Sequence, residues 1–251
     1  MIINKLFYCF VFFALLTTLP QLGYSDPVKY SVTNESWSPY WITTSNKVSG
    51  ILNDVMQQLD QRMSISLEAD NPSTVKRAQT MFKVGGVQIE CCVSKDWRNL
   101  PAQSKISLWS DTVMTVEEVL IFPVGKSFKF TNFDDLKGRN ISTIRGYGYA
   151  GSDIFSRTDS IDNTSQILKV ALGEAEAGII DRAELTYALK YNRILKERNI
   201  KLEIGPVINR SELKMRIHFS NPELLEPINI AILEMKQDGT VQNIIDRYTN
   251  K

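Results

Sequence analysis

Apolar residues along the chain follow two rhythms. Short β-rich stretches occur over residues 29–34 and 65–68. Between them, past the turn at Ser38 and Pro39, Ile51, Leu52, Val55, Met56, Leu59 and Met63 recur at the spacing of one helical face. That spacing predicts a helix after Gly50 with Ser49 as its cap. A helix over 72–83 closes at Gly85 and Gly86, and a strand over 87–93 follows. The second half of the chain repeats the grammar. It predicts a strand over 116–124, a helical turn within 132–138, a strand over 140–144 and a helix starting near 148–152. A helix over 164–172, a strand over 177–180 ending on Asp181 and a helix over 184–198 come next. Strands over 202–208 and 215–219 and helices over 223–236 and 241–248 complete the pattern. This alternation predicts an α/β fold whose parallel sheets are covered on both faces. In such sheets ligands sit beyond the carboxyl ends of strands, so the loops after Asn34, Val93, Ile144 and Ile180 are the places to look.

The N-terminal segment has a different character. Lys5 precedes the apolar run 6–16, and Pro20 and the small-residue site Gly23-Tyr24-Ser25 follow. The run falls short of the roughly 20 residues that cross a bilayer, and the whole reads as a cleaved signal peptide over 1–25. Cys9 lies inside that run, and cleavage after Ser25 would release a soluble, exported chain starting at Asp26. The 251 residues carry 29 basic and 28 acidic side chains, a net charge of +1. No basic field of the kind that binds nucleic acid is present, so nucleic acid is excluded as a partner. A single histidine and three cysteines leave little for a metal site, and neither metal nor cofactor is expected. Cys91 and Cys92 form either a vicinal disulfide or two small buried residues on an alternating strand with Val87, Ile89 and Val93.

The four loops hold the candidate chemistry. Trp37, Tyr40 and Trp41 follow the first strand, where they stack on a ligand or fill an interface. Ser94, Lys95, Asp96, Trp97 and Arg98 follow the strand over 87–93, and a guanidinium placed there clamps a carboxylate or pairs with Asp96 on the surface. Gly146, Gly148 and Gly151 spell a dinucleotide fingerprint, but in mid-chain and without a β-α unit before it. What remains is an anion site of glycine amides at a helix start, or a plain tight turn. Asp181 either caps the next helix or accepts hydrogen bonds from a ligand ammonium. His218 reads as structural. The Asn-x-Ser patterns at Asn34, Asn140, Asn163 and Asn209 permit glycosylation only in a host with that machinery. The basic run Arg193, Lys196, Arg198, Lys201 reads as a solvated face.

Taken in order, Trp37-Ser-Pro-Tyr40, Gly50 with its helix, the strand leading to Arg98, Trp109-Ser-Asp111, Phe133-Asp-Asp-Leu-Lys-Gly138, Gly146-Tyr-Gly148, Gly178-Ile-Ile-Asp181 and Met235-Lys-Gln-Asp-Gly-Thr240 resemble the family 3 periplasmic solute-binding proteins, the polar amino-acid receptors of ABC importers. The resemblance implies a type II periplasmic-binding-protein fold, two α/β lobes joined by two crossing hinge segments, with lobe 1 over 26–115 plus 215–251 and lobe 2 over 116–214. Hinges would lie near 112–116 and 210–215. It implies a monomer that closes on a small carboxylate-bearing solute and hands it to an inner-membrane ABC permease. By the same resemblance, Arg98 and the Gly148 amide bind the ligand carboxylate, Asp181 takes the ammonium group and Trp37 stacks on the ligand. Tyr147 neighbours Gly148, Asn34 holds a position often given to a second acid, and Ser94 would supply the hydroxyl that family members place before the arginine. Lys95 beside Arg98 points to a more acidic ligand. The same fold resembles periplasmic cyclohexadienyl dehydratases, for which Glu174, Glu176 and Asp181 would supply carboxylates, and an orphan sensory receptor is a further reading.

Overall fold

The computed structural model describes residues 26–45 and 47–250. The leader expected over 1–25 lies outside the described residues, and Lys5, Cys9 and Pro20 with it. The first part of the chain forms β1 Val28–Ser31, β2 Ile42–Thr44, β3 Lys47–Ser49, α1 Ile51–Arg62, β4 Leu67–Ala69, α2 Val75–Lys83, β5 Ile89–Ser94 and α3 Pro101–Ser104. Then come β6 Ser107–Phe122, β7 Asn140–Ile144, β8 Ser156–Ser160, α4 Asn163–Ala171, β9 Ala177–Asp181, α5 Arg182–Tyr191 and α6 Arg193–Glu197. The chain closes with β10 Glu203–His218, α7 Leu225–Gln237 and α8 Thr240–Thr249.

Eight strands make one sheet in the order β4-β1-β5-β10-β6-β9-β7-β8, and β2 and β3 form a separate hairpin. β1 runs parallel to β4 and β5, and β7 parallel to β8 and β9, as the βα alternation predicts. The centre departs from that expectation. β6 and β10, 16 residues each, pair antiparallel with one another and with their outer neighbours, so the sheet is mixed. The strand expected over 116–124 therefore starts at Ser107, and the strands expected over 202–208 and 215–219 are one. The polar stretch Asn209, Arg210, Ser211, Glu212 concealed this, because it spans the gap between two cores and needs no apolar face there.

The cores divide accordingly. Tyr30, Leu52, Ile89, Met215, Ile228 and their neighbours form one buried cluster in the first half. Val119, Ile167 and Leu185 make a second cluster, and Leu120, Leu136 and Phe155 a third, on the two faces of the sheet in the second half.

Local chemistry accounts for three further departures. Gly50, not Ser49, is the N-cap of α1; its φ is +111°, and a Cβ there would sit 2.5 Å from the Tyr40 carbonyl oxygen. The segment after β7 makes turns in place of the helix expected near 148–152, since Gly146 and Gly151 take positive φ and Phe133 packs against Gly151. The helix expected over 184–198 breaks at Asn192, whose side chain accepts from the Leu195 amide and caps α6. Cys91 and Cys92 satisfy both of their readings: they are disulfide-bonded and buried on β5.

Candidate functional site

A cleft of about 910 Å³ opens between the two halves. The loop after β1, the end of β5 and the turn Lys95–Arg98 form its first wall; the middle of β6, the turn after β7 and the starts of α4 and α5 form the second. These are the carboxyl ends of strands, where the α/β rule directs attention.

Arg98 lines this cleft, but its guanidinium is already engaged. Nη2 and Nε lie 2.6 and 3.1 Å from Glu90 Oε1, and Nη1 donates to the Trp97 carbonyl. Glu90 Oε2 accepts from Arg216 at 2.9 Å, and Gln79 donates to Oε1. Arg216 is 1% exposed beneath the cleft floor, with its guanidinium 4.0 Å from the Phe82 ring centroid. Two arginines thus share one carboxylate, which leaves one positive charge on the group that reaches the cleft.

Asp181 ends β9 and caps α5. Its Oδ1 accepts from the Ala183 and Glu184 amides and from the Tyr40 hydroxyl at 2.8 Å. Its Oδ2 is buried with no hydrogen-bond partner among the described residues. Burial pushes this carboxyl up from its ordinary value.

Trp37 stacks on Tyr40 with ring centroids 4.3 Å apart and meets Trp97 edge-on at 5.9 Å. Its indole N–H donates across the cleft to Glu184. Trp41 instead turns into the core and donates to the Cys91 carbonyl. Gly148 and Tyr147 line the cleft on the turn after β7, with open space where a Cβ at Gly148 would stand. Two of the expected residues are not among the lining groups. Asn34 is exposed, and the neighbouring Glu35 faces the cleft. Ser94 is buried, with its hydroxyl accepting from the Asp96 amide. Glu174 and Glu176 are exposed beside Arg139 and Asn140, away from the lining.

The structure adds residues that the sequence did not single out. Glu184 is 7% exposed and held by Trp37 and Asn163. Burial, then the charge of Asp181, pushes its carboxyl up to about 8. Glu118 stands opposite Asp181 in the β6–β9 ladder and accepts from Asn209 at 2.7 Å; burial and Asp181 push it up as well. Glu118 was legible as an inward position once β6 was known to run through it, since Glu117 faces outward to Arg182 and Arg210. Glu90 looked like an ordinary outward residue because it alternates with the core side chains of β5.

These additions reverse the expected charge of the site. Lys95 is exposed and outside the lining, whereas among the described residues Glu35, Glu90, Asp96, Glu118, Asp181 and Glu184 line it against Arg98 and Arg145.

Residues 31–251 match the family model of the bacterial extracellular solute-binding proteins, family 3. The L-cystine-binding protein TcyJ of Escherichia coli (strain K12) is 31% identical over 125 residues, a stretch that covers 46% of this chain and 43% of that protein. The match therefore spans less than half the length of that relative. Among solved structures, the GluR0 ligand-binding core in complex with L-glutamate superposes with a TM-score of 0.72 at 16% identity, over 91% of this chain and 100% of that one. The ancestral amino acid-binding protein AncCDT-1, a precursor of cyclohexadienyl dehydratase, gives 0.65 at 17% identity over 89% and 96%. At these identities the likeness is one of fold, and the fold is the expected type II periplasmic-binding arrangement.

Proposed function

The chain belongs to the bacterial extracellular solute-binding proteins, family 3, and from that premise we propose that it is an exported receptor, not an enzyme, that captures a small carboxylate-bearing solute, an amino acid, by closure of two lobes. The observation that carries this reading is the cleft itself, which holds Arg98 on one wall and Asp181 on the other. Arg98 receives the ligand carboxylate on the guanidinium hydrogens that Glu90 leaves open, and the Gly148 amide and Tyr147 assist from the opposite wall. Asp181 takes the ammonium group, and Trp37 covers the ligand. The lobes run over 26–115 plus 215–251 and over 116–214. In support, the buried clusters separate near these limits, although Val116 and Leu213 pack with the first cluster. Hinging falls in the paired strands β6 and β10 near 112–116 and 210–215, where the ladder shifts register around Lys214. A monomer released by its leader into the periplasm and docking on an inner-membrane ABC permease completes the reading. A receptor that reports to a membrane sensor would use the same cleft.

Isothermal titration of the purified mature chain with amino acids tests this. Arg98→Ala should weaken a confirmed ligand by about tenfold or more with the fold intact, because a charge-assisted hydrogen bond contributes roughly 1.5–3 kcal/mol. Equal affinity of variant and wild type would remove Arg98 from the site.

One observation favours a second reading. A carboxyl held near 8 at Glu184 is protonated at neutral pH and suits general acid catalysis in a dehydratase. Incubation with prephenate and with arogenate should yield product on that reading; absence of product disposes of it.

A further inference from the structure

The second wall of the cleft gathers three carboxyl groups with no ion pair to any of them among the described residues. Glu118 and Asp181 are direct partners in the β6–β9 ladder, and directly opposed positions hold Cβ atoms roughly 4.5–5.5 Å apart, where like charges repel. Glu184 follows in the first turn of α5. The groups that touch these three are uncharged donors: Asn209 on Glu118, Tyr40 and two amides on Asp181, Trp37 and Asn163 on Glu184. Nearby cations are committed elsewhere. Arg182 and Arg210 hold Glu117 on the outward face and Arg98 holds Glu90, while Arg145, exposed on the turn after β7, makes no ion pair with any of the three. The buried Oδ2 of Asp181 adds an acceptor with no donor among the described residues. Burial pushes all three carboxyls up, and the charge of Asp181 adds to it at Glu118 and at Glu184.

An α-ammonium group placed on Asp181 leaves Glu118 and Glu184 unanswered. Resting on the receptor reading above, we propose that the solute carries a second cationic group, the side-chain ammonium or guanidinium of a basic amino acid, seated against Glu118 and Glu184. Binding would then supply the missing counterion and return these carboxyls to their ionised form. Glu118 is the specificity-determining residue in this arrangement, since Asp181 and Trp37 already serve the ammonium group and the ring contact. Glu118→Gln keeps an acceptor for Asn209 and removes only the charge.

The test is titration calorimetry of the full mature chain against L-lysine, L-arginine, L-glutamine, L-glutamate, L-cystine and putrescine, repeated on Glu118→Gln. A basic amino acid should bind about tenfold or more tightly than L-glutamine, and Glu118→Gln should erase most of that preference. Tightest binding of L-glutamine, L-glutamate or L-cystine would overturn the inference and leave the receptor reading standing. So would a basic preference that survives both Glu118→Gln and Glu184→Gln. Binding of putrescine with no response to any amino acid would uphold the cationic seat and overturn the carboxylate-bearing ligand. Silence across the panel would overturn both.

Discussion

Glu184 owes its proton to its surroundings: a carboxyl that is 7% exposed, next to Asp181 and facing Glu118, is cheaper to hold neutral than charged. Its ordinary value is 4.5 and its folded value about 8. Between these the folded chain binds the proton more tightly than the unfolded chain does. The stabilisation is complete at the acidic end of the window and is lost as the pH rises through it. The melting temperature of the ligand-free protein should therefore fall between about pH 5 and about pH 8. Glu184→Gln keeps one of the two acceptor oxygens that Trp37 and Asn163 use and removes the titrating proton, so it should flatten that slope; an unchanged slope in the variant would refute the assignment. Arg216 makes the opposite case. Glu90 depends on it, and Arg216→Met would leave one arginine fewer on a carboxylate that is 7% exposed. Breaking such a pair costs about 3–5 kcal/mol, which urea denaturation would register.

At the scale of elements, α1 depends on a backbone conformation that only glycine takes easily. Gly50→Ala puts a methyl group 2.5 Å from the Tyr40 carbonyl oxygen at a φ of +111°, and should cost about 2 kcal/mol or more, lowering the melting temperature by several degrees. The apolar stripe from Ile51 to Met63 announced this helix because its pattern has one period and one buried face. The same logic found β5, β7, β9, α4, α7 and α8 to within a few residues. It failed where a pattern served two environments at once. β10 passes from the second core through a solvated bridge into the first, so its apolar residues form two runs with polar ones between them. The turn after β7 failed for another reason: its glycines promised a helix start, while their positive φ values close turns.

For the whole molecule, the two walls are tied directly to one another. Tyr40 of the first half bonds Asp181 of the second, Trp37 bonds Glu184, and Lys190 on α5 donates to the carbonyl of Asn250 past α8. Ligand at about a hundred times its dissociation constant should add about 2.7 kcal/mol of stability, a rise of roughly 5–10 °C for a chain of this size. A scan showing no rise with a ligand that calorimetry confirms would mean that it binds folded and unfolded chains alike. The position of the cleft was legible in the sequence, because strand ends and the residues after them fix it. Its charge was not, because Glu90, Glu118 and Glu184 sit inside regular elements where sequence alone gives a carboxylate no reason to be buried.

The pairing of Thr115 with Glu212 places the exit and the re-entry of the chain side by side. A type I′ Asn-Gly turn grafted between those two residues would close the first half on itself as a hairpin. The whole of 116–211 would be excised, yet most of the first buried cluster, α7 and α8 would remain in place. Topologically, residues 116–211 are an insertion between two paired positions of β6 and β10.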